Sequence, residues 1–166
     1  MFLFVIADIF RALSGAESSC VTLLERKKPM EHSLLAVLLY ATWTLLLLGG
    51  IALLRVSVAL AGKRAVNAFA VSGEDVSPFS ARLCRAHANC YENLPIFAGL
   101  VLLAVASGNA AITAPLALWA VAARVGQSLV HLFSTSVAAV QLRFLFFLAL
   151  WSIQAWWAAH LIGALL

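Results

Sequence analysis

The sequence predicts an all-α integral membrane protein, a four-helix bundle. Three observations carry this. Of the 166 residues 64% are hydrophobic and 11% charged, against about 45–50% and about 25% in an average soluble domain. The mean hydropathy is +1.01. Four apolar stretches, each longer than the roughly 20 residues that cross a bilayer, are separated by short polar punctuation.

Residues 1–33 read as an N-terminal tail, unstructured or the product of an upstream mis-start. Phe2–Ile6 is apolar but Asp8 and Arg11 interrupt it, so it is too short to span and lacks the basic start of a secretory signal. Arg26-Lys27-Lys28 and Pro29 follow, and Met30 offers an alternative start. The four-span domain then occupies 34–166. The first span runs over 34–60 and is Leu-rich, with Gly49-Gly50 in its middle. Small residues there permit close helix approach. Arg55, late in this span, either snorkels to the interface or reaches the polar face of the second span.

The connection over 61–80 is the most polar part of the domain, with Lys63, Arg64, Glu74 and Asp75, then Ser77-Pro78, a helix-start signal. Its Lys and Arg, with Arg55, Arg82 and Arg85 beside it, predict a cytoplasmic position. Arg26–Lys28 on the far side of span one runs against that rule. The second span covers 82–106. Pro95 removes one helical hydrogen bond and should bend it. Ser107-Gly108-Asn109-Ala110 is a tight turn. The third span covers 112–133 and Ser134-Thr135-Ser136 returns the chain. The fourth covers 137–165, where Trp151, Trp156 and Trp157 divide between an interfacial belt and packing.

Function is expected to lie where polar groups are costly. Ionisable residues in membrane spans are rare and mark sites. Arg82, Arg85, Asn89 and Glu92 fall within an arc of about 80° on a helix, with His87 outside it. Arg124, Gln127 and His131 lie at i, i+3 and i+7 in span three, and Arg143 in the first turns of span four. Alternating span direction brings all eight to one depth. The expected site is cationic, rich in amides, with a single carboxylate, and suits an anionic ligand that also carries an amine. The bland alternative is that these residues pair with one another to hold the bundle. The charges are scattered without a basic aromatic patch, so nucleic acid is not an expected partner. Cys20, Cys84 and Cys90 have no metal or redox spacing, so no metal is expected and the cysteines read as small apolar residues. Haem between His87 and His131, or His32 and His160, is a further reading, since bis-histidine ligation needs two facing imidazoles.

The segment Arg85-Ala-His87-Ala-Asn89-Cys-Tyr-Glu92-Asn93-Leu-Pro95-Ile-Phe97 resembles the signature of the MAPEG family, the membrane-associated proteins in eicosanoid and glutathione metabolism. Weaker matches are Arg124-Val-Gly-Gln127 through His131 and Gln141-Leu142-Arg143. The resemblance spans 34–166. It implies four-helix subunits assembled as homotrimers, with glutathione as co-substrate bound in a U shape at subunit interfaces. It further implies a glutathione-dependent transferase or peroxidase acting on lipophilic molecules from the bilayer. By the same resemblance Arg85, Asn89 and Glu92 contact glutathione, as does a span-one arginine, Arg55 or Arg64, and Arg143 stabilises the thiolate. Arg82, Arg124, Gln127 and His131 complete the expected glutathione-binding set. Two departures stand out: Gln127 and His131 replace the span-three tyrosines of the best-known eicosanoid members, and the connection to span four is longer. The alternative function is a non-catalytic membrane scaffold or small transporter on the same fold.

Overall fold

The computed structural model describes the backbone from residue 2 and side chains over 27–166. For residues 1–26 the reading of the tail lies outside the described side chains, while residues 27–33, expected to belong to the tail, are part of α1 and of its candidate span. Four helices follow one another: α1 (Phe2–Leu60), α2 (Pro78–Ala106), α3 (Ala110–Phe133) and α4 (Val137–Leu165). The last three, and Lys27–Leu60 of α1, are long and apolar enough to cross a membrane. The chain is an all-α four-helix membrane bundle.

Apart from the start of α1, expected at residue 34, the expected ends hold closely because the punctuation has local mechanisms. Ser77 is extended and its hydroxyl accepts the Ser80 amide at 3.0 Å, with Pro78 opening the helix. Ser136 does the same for α4 through the Ala139 amide, at 3.3 Å. Each hydroxyl satisfies an amide that the first helical turn leaves without a partner. Gly108, at φ 76°, supplies the left-handed residue that turns α2 into α3. Helix α2 begins four residues earlier than its apolar run because the Ser-Pro start, not hydropathy, fixes its first turn. It is continuous through Pro95.

Helix α3 packs against the other three, α4 leans chiefly on α3, and among the described residues α1 and α4 do not pack directly backbone to backbone. Because lipid is as apolar as leucine, close packing and polar contacts hold such a bundle. Tyr40, Phe97 and Trp157, all fully buried, join α1, α2 and α4, with ring centroids 4.9 and 5.7 Å apart. Trp151 and Trp156 face outward whereas Trp157 packs inside. Gly50 lets Leu83 of α2 sit against α1. Cys84 and Cys90 are buried free thiols.

The connection over 61–77 is ordered by its charges. Arg64 donates to the Asp75 carboxylate and, at 2.8 Å, to the Asp75 carbonyl. Asp75 also accepts the Ala70 amide at 3.0 Å, and Arg55 donates to the Ala70 carbonyl at 2.8 Å. Both arginines lie about Phe69, 5.8 and 6.0 Å from its ring centre. Gly73, at φ 70°, lies so close to α2 that a Cβ there would meet Ser80 Oγ at 2.7 Å and Cys84 Sγ at 2.8 Å. The connection is therefore seated on the first turns of α2.

The Ala70 amide, then the Asp75 backbone, Arg64 and Arg55, hold the Asp75 carboxyl below its ordinary value of 3.8 against its partial desolvation. A depressed carboxyl releases its proton more readily when folded. Its contribution is thus in place above pH 3.8 and is lost as pH falls through the lowered value. Asp75→Asn should loosen the connection at neutral pH, speeding amide hydrogen exchange over residues 64–76, whereas the wild-type chain should loosen only in acid. Equal exchange in the two proteins at pH 7 would contradict this bracing role.

Candidate functional site

Four helix ends meet at one end of the bundle, and an open cavity of about 980 Å³ lies there. Helix α2 forms its floor with Arg82, Arg85, Asn89 and Glu92. Helix α1 adds Leu48, Ile51 and Arg55, the connection adds Val71, Ser72 and Glu74, and α3 and α4 add one residue each, His131 and Arg143. The larger aliphatic side chains come from α1 and the connection, while the arginines come from α1, α2 and α4.

Local contacts hold the cations in place. Arg82 Nε donates to the Leu132 carbonyl at 2.9 Å, near the C-terminal end of α3. That end carries partial negative charge, which suits a guanidinium. Arg143 donates to His131 Nδ1, so the imidazole accepts at that atom. Arg55 is held by the Ala70 carbonyl. Arg85 is exposed, and among the described residues no carboxylate pairs with Arg82, Arg85 or Arg143. Glu92 is exposed and likewise makes no ion pair among them. Unpaired charges of both signs in one membrane-depth cavity are costly unless something else meets them.

Seven of the nine expected site residues line this cavity: Arg55, Arg82, Arg85, Asn89, Glu92, His131 and Arg143. Arg124 and Gln127 do not line it. Arg124 is 4% exposed. It donates to Gln127 Oε1 at 2.7 Å, and its guanidinium lies 6.0 Å from the Tyr40 ring centre. Gln127 Nε2 in turn donates to the Arg143 carbonyl at 3.2 Å. The two residues therefore tie α3 to α4 at Arg143. Of the two span-one candidates, Arg55 reaches the cavity and Arg64 braces the connection.

Among the lining residues that were not expected, three bring a ring or a charge to the cavity. His87 and Tyr91, stacked with ring centroids 6.0 Å apart, line the cavity although they lie outside the arginine arc. The cavity curves round α2 further than an 80° stripe. Glu74 comes from the connection, where helical periodicity gives no guide, though its charge in a short polar loop was visible. For the haem reading, His87 and His131 do line one cavity, but His131 Nδ1 is taken by Arg143. Among the described residues no cluster of three or more His, Cys, Asp or Glu could hold a metal ion.

The arrangement can bind carboxylates through forked arginines, receive an ammonium at Glu92, and stabilise an anion forming near Arg143. Comparison with known proteins bears on this set. No curated protein and no solved structure matches the chain significantly. The model of the MAPEG family matches residues 33–163, most of the chain, including every helix that lines the cavity. The chain is a member of the MAPEG family.

Proposed function

We propose that this protein is a membrane-bound glutathione-dependent enzyme that activates the glutathione thiol toward lipophilic electrophiles or hydroperoxides. The observation that carries the reading is the cavity charge left unpaired among the described residues: Arg82, Arg85 and Arg143 without carboxylates, and Glu92 without a cation. Glutathione has two carboxylates and one ammonium, the complement of that set. In this reading Arg85 and Arg82 clamp carboxylates, Asn89 hydrogen-bonds the peptide, Glu92 receives the glutamyl ammonium, and Arg55 lies at the α1 wall. Arg143, steadied by His131 and by Gln127 at its carbonyl, faces the sulfur. Family membership supports the reading, since the family includes glutathione transferases and peroxidases.

The chemistry asks for a modest shift. A thiol with a pKa of about 8.5 is a few per cent ionised near neutral pH, and lowering it by two units takes roughly 2.7 kcal/mol. One well-aimed guanidinium in a low-dielectric cavity is of that order. The thiolate then forms a C–S bond with an electrophile and expels its leaving group. With a hydroperoxide it takes the terminal oxygen and releases the alcohol, and a second glutathione converts the sulfenic acid to disulfide and water. The connection over 61–77 faces the cytoplasm in this reading, where glutathione is available, and the open cavity is completed by a second subunit of a homotrimer.

The test is turnover by the detergent-purified protein with an activated aryl chloride and with an organic hydroperoxide. Glutathione-dependent product with either, saturating in glutathione, is the expected result. Tight glutathione binding without product from any electrophile would favour the scaffold reading instead.

A further inference from the structure

Behind the cavity floor, one residue beyond Glu92, Asn93 points into the bundle. Its amide and that of Gln154 on α4 form a reciprocal pair: Asn93 Nδ2 donates to Gln154 Oε1 at 3.1 Å, and Gln154 Nε2 donates to Asn93 Oδ1 at 2.9 Å. Tyr40 of α1, fully buried, directs its hydroxyl to Asn93 Oδ1 at 3.0 Å and to the Cys90 carbonyl at 3.3 Å. Three helices meet at one side chain of α2. Nothing in the proposed chemistry uses these groups.

We infer that the Asn93–Gln154 amide pair, with Tyr40, is the positioning device that sets the rotation of α2 about its axis and so aims Asn89 and Glu92 into the cavity. The inference rests on the glutathione reading for the purpose of that aim, though not for the rotation itself. Apolar burial cannot fix rotation in a bilayer, because a leucine facing lipid and one facing a helix are nearly equivalent. A buried amide is different. Turned toward lipid it loses its partners, and no water replaces them. Adjacent helical residues differ by 100°, so seating Asn93 against α4 and α1 directs Glu92 to the flank where the cavity lies. The pair is also the main polar tie between α2 and α4, whose mutual packing is slight. It sits two residues before Pro95, where α2 lacks one backbone hydrogen bond and is easiest to twist.

The test replaces both amides at once, so that neither is left unsatisfied. Asn93→Leu/Gln154→Leu should keep the helical content and cooperative thermal transition, yet bind glutathione about tenfold more weakly or worse, since small misplacements of binding groups are costly. Exchanging the pair, Asn93→Gln/Gln154→Asn, rebuilds two amides of the same combined length and should restore most of the affinity. A second readout needs no glutathione. Cys90 is fully buried but Cys84 borders the cavity, so in a Cys20→Ser/Cys84→Ser background a cysteine introduced by Asn89→Cys reports the facing of α2 to a water-soluble maleimide. Its labelling should slow when both amides become leucine and recover in the exchanged pair. Unchanged labelling in the folded leucine variant, or no recovery in the exchanged one, would overturn the inference. Failure of the wild-type protein to bind glutathione would count against the proposed function instead, while the labelling rates would still decide this one.

Discussion

Arg143→Ala is expected to abolish thiolate formation at neutral pH while glutathione still binds. Arg143 is the one cavity cation contributed by α4, and it is held from two sides, its guanidinium by His131 and its carbonyl by Gln127. A side chain held in this way is preorganised to meet charge as it forms, which is where electrostatic stabilisation acts on rate. Removing such a group costs roughly 10²–10³ in turnover. The carboxylates of glutathione would still have Arg82 and Arg85, so affinity should fall by much less. Ultraviolet thiolate absorbance and calorimetry on the same variant separate the two effects. A full thiolate signal in Arg143→Ala would remove this residue from the chemistry. Arg143→Lys, which keeps the charge but not the fork, should recover part of the signal.

Glu92→Gln should give the opposite split. Among the described residues Glu92 and Glu74 are the only carboxylates lining the cavity, and Glu92 is the one within a span. A hydrogen bond to a charged group contributes about 1.5–3 kcal/mol, so affinity for glutathione should fall about tenfold to a hundredfold. The variant should insert and fold normally, because Glu92 is exposed and makes no ion pair among the described residues. Once glutathione is saturating, thiolate formation should return, since Arg143 is intact. Arg85→Ala should likewise weaken binding more than activation. A variant that binds as the wild type does would show that the ammonium lies elsewhere.

How much of this was legible in the sequence follows from where helical periodicity operates. The α2 stripe of Arg82, Arg85, Asn89 and Glu92 was legible because four polar residues on one face of an apolar helix are too costly in a bilayer to be incidental. The start of α2 was legible from Ser77-Pro78, and that of α4 from the Ser134-Thr135-Ser136 return before it. Arg124, Gln127 and His131 share one face of α3, and that spacing could not reveal that they split. His131 lies at the open end of the bundle, whereas Arg124 lies about 10 Å further along the axis, where Tyr40 of α1 closes over the same face. Periodicity gives direction about an axis but not what stands opposite. The partners of Arg55 and Arg64 were hidden for another reason. They depend on the path of the connection, fixed by Gly73 and Asp75, and neither residue carries a periodic signal. Asn93 stood in the signature all along, but its partner Gln154 lies 61 positions away and on another helix.

The central claim is that this cavity binds glutathione and ionises its thiol. The most direct measurement titrates glutathione into the detergent-purified wild-type protein at neutral pH, following heat and ultraviolet thiolate absorbance together. Saturable heat accompanied by a stoichiometric thiolate signal is the predicted result. The absence of binding at millimolar glutathione would contradict the claim.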